Sequence, residues 1–188
     1  MEISINDIFI PENLGTSKSI IKVIGVGGGG CNAVSEMHRQ KIQDVEFLIT
    51  NTDRQSLETS TVPDKIRLGN KGLGAGCNPE EGRRAASESL EKIKKALSDA
   101  TEMVFITAGM GGGTGTGAAP VIAQIAKEMG KLTIGVVTIP FRDEGKAFMK
   151  RAILGIKELQ KYVDSLLIID NQKIYQMFGE LTLREGLH

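Results

Sequence analysis

The chain has 188 residues, 40% hydrophobic and 24% charged, which suits one globular domain with a substantial core. Lysine plus arginine and aspartate plus glutamate number 23 each, so the formal net charge is zero and attachment to nucleic acid by bulk positive charge is excluded. No apolar run reaches the roughly 20 residues of a membrane span, and Met1-Glu2-Ile3-Ser4 does not open a secretory signal, so a cytoplasmic protein without direct membrane insertion is expected.

Residues 1–18 read as an N-terminal extension outside the core. Ile20–Val26 is nearly continuous in β-branched residues and predicts a strand buried on both faces of a parallel sheet. The run Gly27-Gly28-Gly29-Gly30 follows, with a helix predicted from Asn32. Val45–Thr50 predicts the second strand, ending in Asn51-Thr52-Asp53, and Lys65–Leu68 a short third one. Asn78 as N-cap, Pro79 at the first helical position and Glu80 and Glu81 in the first turn start a helix expected to reach Leu97. Ala86, Leu90, Ile93 and Leu97 form its apolar face.

Met103–Ala108 predicts the fourth strand, and a helix is expected from Ala118. Between them lies Gly109–Gly117, with six glycines and two threonines in nine residues. Leu132–Ile139 predicts the fifth strand. An amphipathic helix over 143–162 follows, with Ile153, Ile156 and Leu159 on one side. Ser165–Ile169 is the sixth strand, Asn171–Phe178 a short helix, and a further turn is expected near Thr182.

Strand and helix alternate throughout. The expected fold is α/β: a Rossmann-like parallel sheet of about six strands with helices on both faces. Ligands of such sheets bind beyond the carboxyl ends of the strands. The glycine-rich and polar stretches fall there, so several loops face one site. Cys31 and Cys77 show no metal-binding spacing and read as small residues beside glycine turns. His38 and His188 are the only histidines, which leaves a histidine triad or zinc site without support.

Gly25-Val26-Gly27-Gly28-Gly29-Gly30 fits the dinucleotide pattern GxGxxG, with Asp53 as the candidate ribose acid. An NAD-dependent oxidoreductase domain is therefore one reading. It leaves Gly109–Gly117 unexplained. Two major glycine loops and a smaller one, Gly74-Ala75-Gly76, suggest a polyphosphate instead, hence a nucleoside triphosphate. GxxxxGK(S/T) is absent, so glycine N–H groups, helix N-termini and threonine hydroxyls would carry the phosphate charge.

Gly-Gly-Gly-Thr-Gly-Thr-Gly at 111–117 resembles the tubulin signature. With 23–30, 51–53, 72–79, 105–110 and 163–166 it is similar to the FtsZ family of bacterial tubulin homologues, in the right order across residues 19–178. The resemblance implies a GTP-binding domain of a cytoskeletal GTPase that polymerises head to tail at the division site. It implies GTP or GDP with Mg²⁺, and division partners bound through a C-terminal tail. Gly27, Gly28, Gly29, Gly30 and Asn32 would contact phosphates and ribose, and Gly74, Ala75 and Asn78 would lie near the γ-phosphate. Gly111, Gly112, Gly113, Thr114, Gly115 and Thr116 would wrap the phosphates. Glu144 would bind the ribose hydroxyls, and Asn171 the guanine.

On the residues alone Glu144 reads equally as a helix-dipole partner and Asn171 as an N-cap. The family's usual arginine four residues after that glutamate is Phe148 here, with Lys146, Lys150 and Arg151 as nearby cations. Residues 19–188 are expected to be the GTP-binding domain, ending before the family's central helix, its acidic hydrolysis loop and its C-terminal domain. The chain is thus expected to bind nucleotide with negligible turnover alone, and to expose an apolar sheet face that favours self-association. A non-catalytic polymer-forming scaffold is a third reading.

Overall fold

The computed structural model describes residues 19–97 and 100–177. The N-terminal extension and the turn expected near Thr182 lie outside the described residues. Six parallel strands run β1 (Ile21–Val26), β2 (Glu46–Asn51), β3 (Asp64–Arg67), β4 (Met103–Gly109), β5 (Leu132–Ile139) and β6 (Ser165–Asp170). Their order across the sheet is β3-β2-β1-β4-β5-β6, so the direction of winding reverses between β1 and β4. Their register sets Val26 beside Thr50 on one side and beside Ala108 on the other. The glycine-rich segments after β1 and β4 therefore leave the sheet side by side.

Helices α1 (Gly27–Arg39), α2 (Arg54–Thr59), α3 (Pro79–Glu88), α4 (Leu90–Leu97), α5 (Thr114–Glu128), α6 (Lys146–Leu159) and α7 (Asn171–Met177) fill the connections. Alternation along the strands splits the core in two. Val23, Phe47 and Ile49 pack with Cys31 and Val34 of α1 and Leu57 of α2. Ile24, Val104, Ile106 and Val137 pack on the other face with Ile93, Leu97, Ile122 and Leu159 of α4, α5 and α6. β6 is an edge strand on which Leu167 is 56% and Ile168 47% exposed.

Four expectations need correction. The helix predicted over 79–97 is two helices. The break falls at Ser89, at φ −106° and ψ 13°, whose buried hydroxyl accepts a hydrogen bond from Gly69 N at 2.9 Å. Of the face predicted for α6, Leu159 is buried and Ile156 packs against the core, but Ile153 is 47% exposed, and Ala152 and Gly155 complete the buried side. Small residues there let α6 approach α5 closely; a Cβ on Gly155 would lie 2.4 Å from Thr116 Cγ2. Cys31 is in a helix, not a loop. Burial pushes its thiol up to about 12, against a weaker opposing hydrogen bond to the Thr50 carbonyl. Its folded value is raised, so its contribution to stability holds below the ordinary thiol value of 9.0 and is lost as pH climbs toward 12. Lastly, α2 is an extra element, started by Asp53, whose side chain accepts from Gln55 N and Ser56 N.

Candidate functional site

The two glycine runs are not loops over most of their length. Gly27–Gly30 is the first turn of α1, and Thr114–Gly117 is the first turn of α5. The true connection after β4 is only Met110–Gly113. Glycine has poor intrinsic helix propensity, so tertiary contacts impose the helix. A Cβ on Gly30 would lie 2.1 Å from the Thr107 carbonyl oxygen of β4. One on Gly27, at φ +69°, would lie 2.8 Å from Gly115 N. The N-termini of α1 and α5 therefore meet over the β1/β4 reversal.

Both N-termini are electrically open. The first N–H groups of any helix lack intrahelical partners and carry the positive end of its dipole. The N-cap positions of α1 and α5 are Val26 and Gly113, neither start receives a side-chain cap, and neither first turn carries an acid. α2 and α3 differ, being capped by Asp53 and Asn78, with Glu80 and Glu81 also in the first turn of α3. A Cβ on Gly28 or Gly112 would meet nothing within 4 Å. Packing does not explain glycine at those two positions; backbone N–H groups open to a bulky anion would.

The remaining candidate residues take varied places. Thr114 and Thr116 are buried. The hydroxyls of Thr52 and Thr114 are 2.6 Å apart, which ties the end of β2 to α5. Thr116 Oγ1 accepts from Gly111 N at 2.8 Å. The threonines thus brace the turn as well as border it. A bulky residue at Thr114 would disturb the core, so Gly112 is the cleaner probe of the cradle.

Ala75 and Asn78 press on the central loop: a Cβ on Gly113 would lie 2.8 Å from Ala75 Cβ and 2.9 Å from Asn78 N. Asn78 Oδ1 itself accepts from Glu80 N at 3.0 Å as the cap of α3. Gly74, at φ +81°, donates its N–H to the Thr52 carbonyl at 3.2 Å. Asn32 is exposed on α1. Glu144 lies in a single 3-10 turn, Arg142–Glu144, where Oε1 accepts from Phe141 N at 2.8 Å. Asn171 opens α7 at the end of β6, and its buried Oδ1 has no hydrogen-bond partner among the described residues.

Asp53 is committed elsewhere. Its carboxylate accepts from Gln55 N at 2.9 Å and Ser56 Oγ at 3.2 Å, so it is a helix cap and not a free ribose acid. The dinucleotide fingerprint thereby loses its acidic partner. Arg151, one of three cations considered beside Phe148, reaches the central loop. Its Nε donates to the Gly111 carbonyl at 2.8 Å, and its guanidinium lies 4.4 Å over the Phe148 ring.

The fold and the site define a class: a doubly wound parallel α/β domain whose winding reversal presents two adjoining helix N-termini receptive to an anion. The chain belongs to the Tubulin/FtsZ family, whose GTPase-domain model matches residues 20–179. It is 58% identical over 175 residues to the cell division protein FtsZ of Buchnera aphidicola from Acyrthosiphon pisum, covering 92% of this chain and 45% of that protein. Identity to the FtsZ of Porphyromonas gingivalis is 55% over 168 residues, covering 87% and 37%. The chain thus spans less than half of these curated relatives. Among solved structures, an empty FtsZ dimer of M. jannaschii superposes with TM-score 0.87 at 42% identity, over 98% of this chain and 55% of that one. A GTPγS-bound protofilament of CetZ2 from Haloferax volcanii gives 0.77 at 27% identity, over 89% and 53%.

Proposed function

We propose that this chain is the nucleotide-binding part of a tubulin-like GTPase that assembles into the ring driving bacterial cell division, and that it takes GTP and GDP at the β1/β4 crevice. The observation that carries this reading is the pair of uncapped, acid-free helix N-termini meeting there. Membership of the Tubulin/FtsZ family and the likeness to proteins named for cell division support it. The glycine N–H groups of the first turn of α1 and of Gly112 and Gly113 would hold the phosphates, with Mg²⁺ sharing their charge; those of Met110 and Gly111 already donate to the Thr138 carbonyl and to Thr116 Oγ1. Glu144 would turn to the ribose. Asn171 Oδ1, buried and unpaired, would accept from guanine N–H groups where adenine offers a different pattern.

Hydrolysis needs a group that orients water on the terminal phosphate. Glu80 and Glu81, in the first turn of α3, are paired with Arg83 at 2.9 Å and Arg84 at 2.6 Å. An acidic loop of a neighbouring full-length subunit would supply that group, which makes turnover a property of the polymer. Leu167 and Ile168, exposed on opposite faces of the edge strand β6, suit further coverage or self-association at this edge of the sheet. A cytoplasmic location at the division site, with partners bound through a C-terminal tail, belongs to the same reading.

Thermal unfolding with added nucleotide tests it. A ligand at 100 times its Kd stabilises the folded state by about 2.7 kcal/mol. GTP and GDP are expected to raise the midpoint, NAD to leave it unchanged, and the pure chain to release phosphate no faster than the nucleotide blank. An equal shift with NAD would overturn the ligand assignment. Sustained phosphate release matching that of a full-length relative would overturn the shared-site mechanism.

A further inference from the structure

The connection Met110–Gly113 is short but rich in glycine, the residue with most backbone freedom to lose. Its conformation is held from two sides at Gly111, which sits at φ +109°. The Gly111 N–H donates to Thr116 Oγ1 of α5 at 2.8 Å. The Gly111 carbonyl accepts from Arg151 Nε of α6 at 2.8 Å. Arg151 is steadied in turn by Phe148, one turn earlier on α6, whose ring lies under its guanidinium at 4.4 Å. Phe148 also fixes the approach: its carbonyl oxygen and Cδ1 would lie 3.2 and 3.3 Å from a Cβ on Gly111.

We infer that Arg151 is a positioning residue for the nucleotide site, holding the Gly111 carbonyl so that Gly112, Gly113 and the first turn of α5 are preset to receive phosphate. This rests on the nucleotide-binding reading above. A glycine turn ordered before binding loses less conformational entropy when the ligand arrives. The hold also requires arginine in particular. An Nε–H at the base of a planar, stacking guanidinium can bond the carbonyl while the plane lies on the ring; lysine offers only a terminal point charge.

Wild type, Arg151→Lys, Arg151→Ala and Phe148→Leu would be followed by amide hydrogen exchange without nucleotide and by titration with GDP. In both Arg151 variants the Gly111–Gly113 amides are expected to exchange about tenfold faster, with β4 and the later turns of α5 unchanged. Their GDP Kd is expected to rise about tenfold, consistent with loss of one charge-assisted hydrogen bond. Phe148→Leu is expected to show a smaller rise, about two- to fivefold, from the lost cation–π contact. Unchanged loop exchange in Arg151→Ala would overturn the inference, and so would wild-type affinity in Arg151→Lys, because charge alone would then suffice. If wild type itself takes no GDP, the nucleotide reading fails, and the exchange comparison still decides whether Arg151 holds the loop.

Discussion

Gly117→Ala is expected to leave little folded protein. A Cβ there would lie 1.9 Å from the Pro79 carbonyl oxygen and 2.8 Å from Arg83 N. Both are backbone atoms of α3, so no side chain can swing aside. The interlock is mutual, since a Cβ on Gly82 of α3 would lie 2.5 Å from the Gly113 carbonyl oxygen. Relief requires α3 to move away from α5, which would disturb the packing of Ala86, Ala118 and Ala119, all fully buried. Overpacking a well-filled core typically costs 1–3 kcal/mol and sometimes more; with backbone as the obstacle, a loss above about 3 kcal/mol is expected. That is a large share of the roughly 5–15 kcal/mol that stabilises a domain. On helix propensity alone the same change would stabilise by roughly 0.5–1 kcal/mol, so the sign is diagnostic. Urea unfolding reads it; a midpoint at or above wild type would contradict the close α3–α5 contact.

The second large effect is on binding and leaves the fold intact. Alanine at Gly28 or Gly112 meets nothing within 4 Å, and neither glycine is at positive φ. Stability should stay within about 1 kcal/mol of wild type, and Gly28→Ala, within α1, should gain slightly. Affinity for GDP should nevertheless fall at least about tenfold, because the added methyl occupies space where a phosphate would approach the backbone N–H groups. Calorimetric titration beside urea unfolding separates the two quantities. Wild-type affinity in both variants would remove these turns from the phosphate site.

Much of the architecture could be read from local patterns. Strand positions followed from β-branched runs, and β5 spans Leu132–Ile139 as expected. The start of α3 followed from Asn78 and Pro79. Contacts distant in sequence decided the misses. Nothing local to Ser89 announces that its hydroxyl will bond Gly69 N, twenty residues earlier, at the point where the helix is interrupted. Glycine runs at 27–30 and 114–117 look like loops by propensity, yet fold as first turns because β4 and α3 press on them. The earlier start of α5 also puts Pro120 inside that helix, where its missing N–H frees a carbonyl one turn back. α2 was legible in principle: Asp53 followed by Ser56 carries an N-cap signal, which the dinucleotide reading of Asp53 obscured.

The candidate site divides the same way. The proposed phosphate cradle could be picked out because glycine composition and strand-end position both point to it. The proposed base and ribose side could not be read from the residues alone, because Glu144 and Asn171 are ordinary polar residues whose meaning depends on unpaired atoms and neighbours. Asn171 stands out only once its Oδ1 is seen buried without a partner among the described residues. Arg151 likewise gains significance only from its reach to Gly111, forty residues away in sequence.

The central claim is that the N-termini of α1 and α5 together receive the phosphates of a guanine nucleotide. Residue-by-residue amide NMR of the wild-type chain titrated with GDP tests it most directly. The largest shifts are expected at Gly28–Gly30 and Gly112–Thr116, with a further response at Asn171. Shifts confined to the neighbouring cleft between Gly69–Ala75 and α3, with the two glycine turns unmoved, would contradict it.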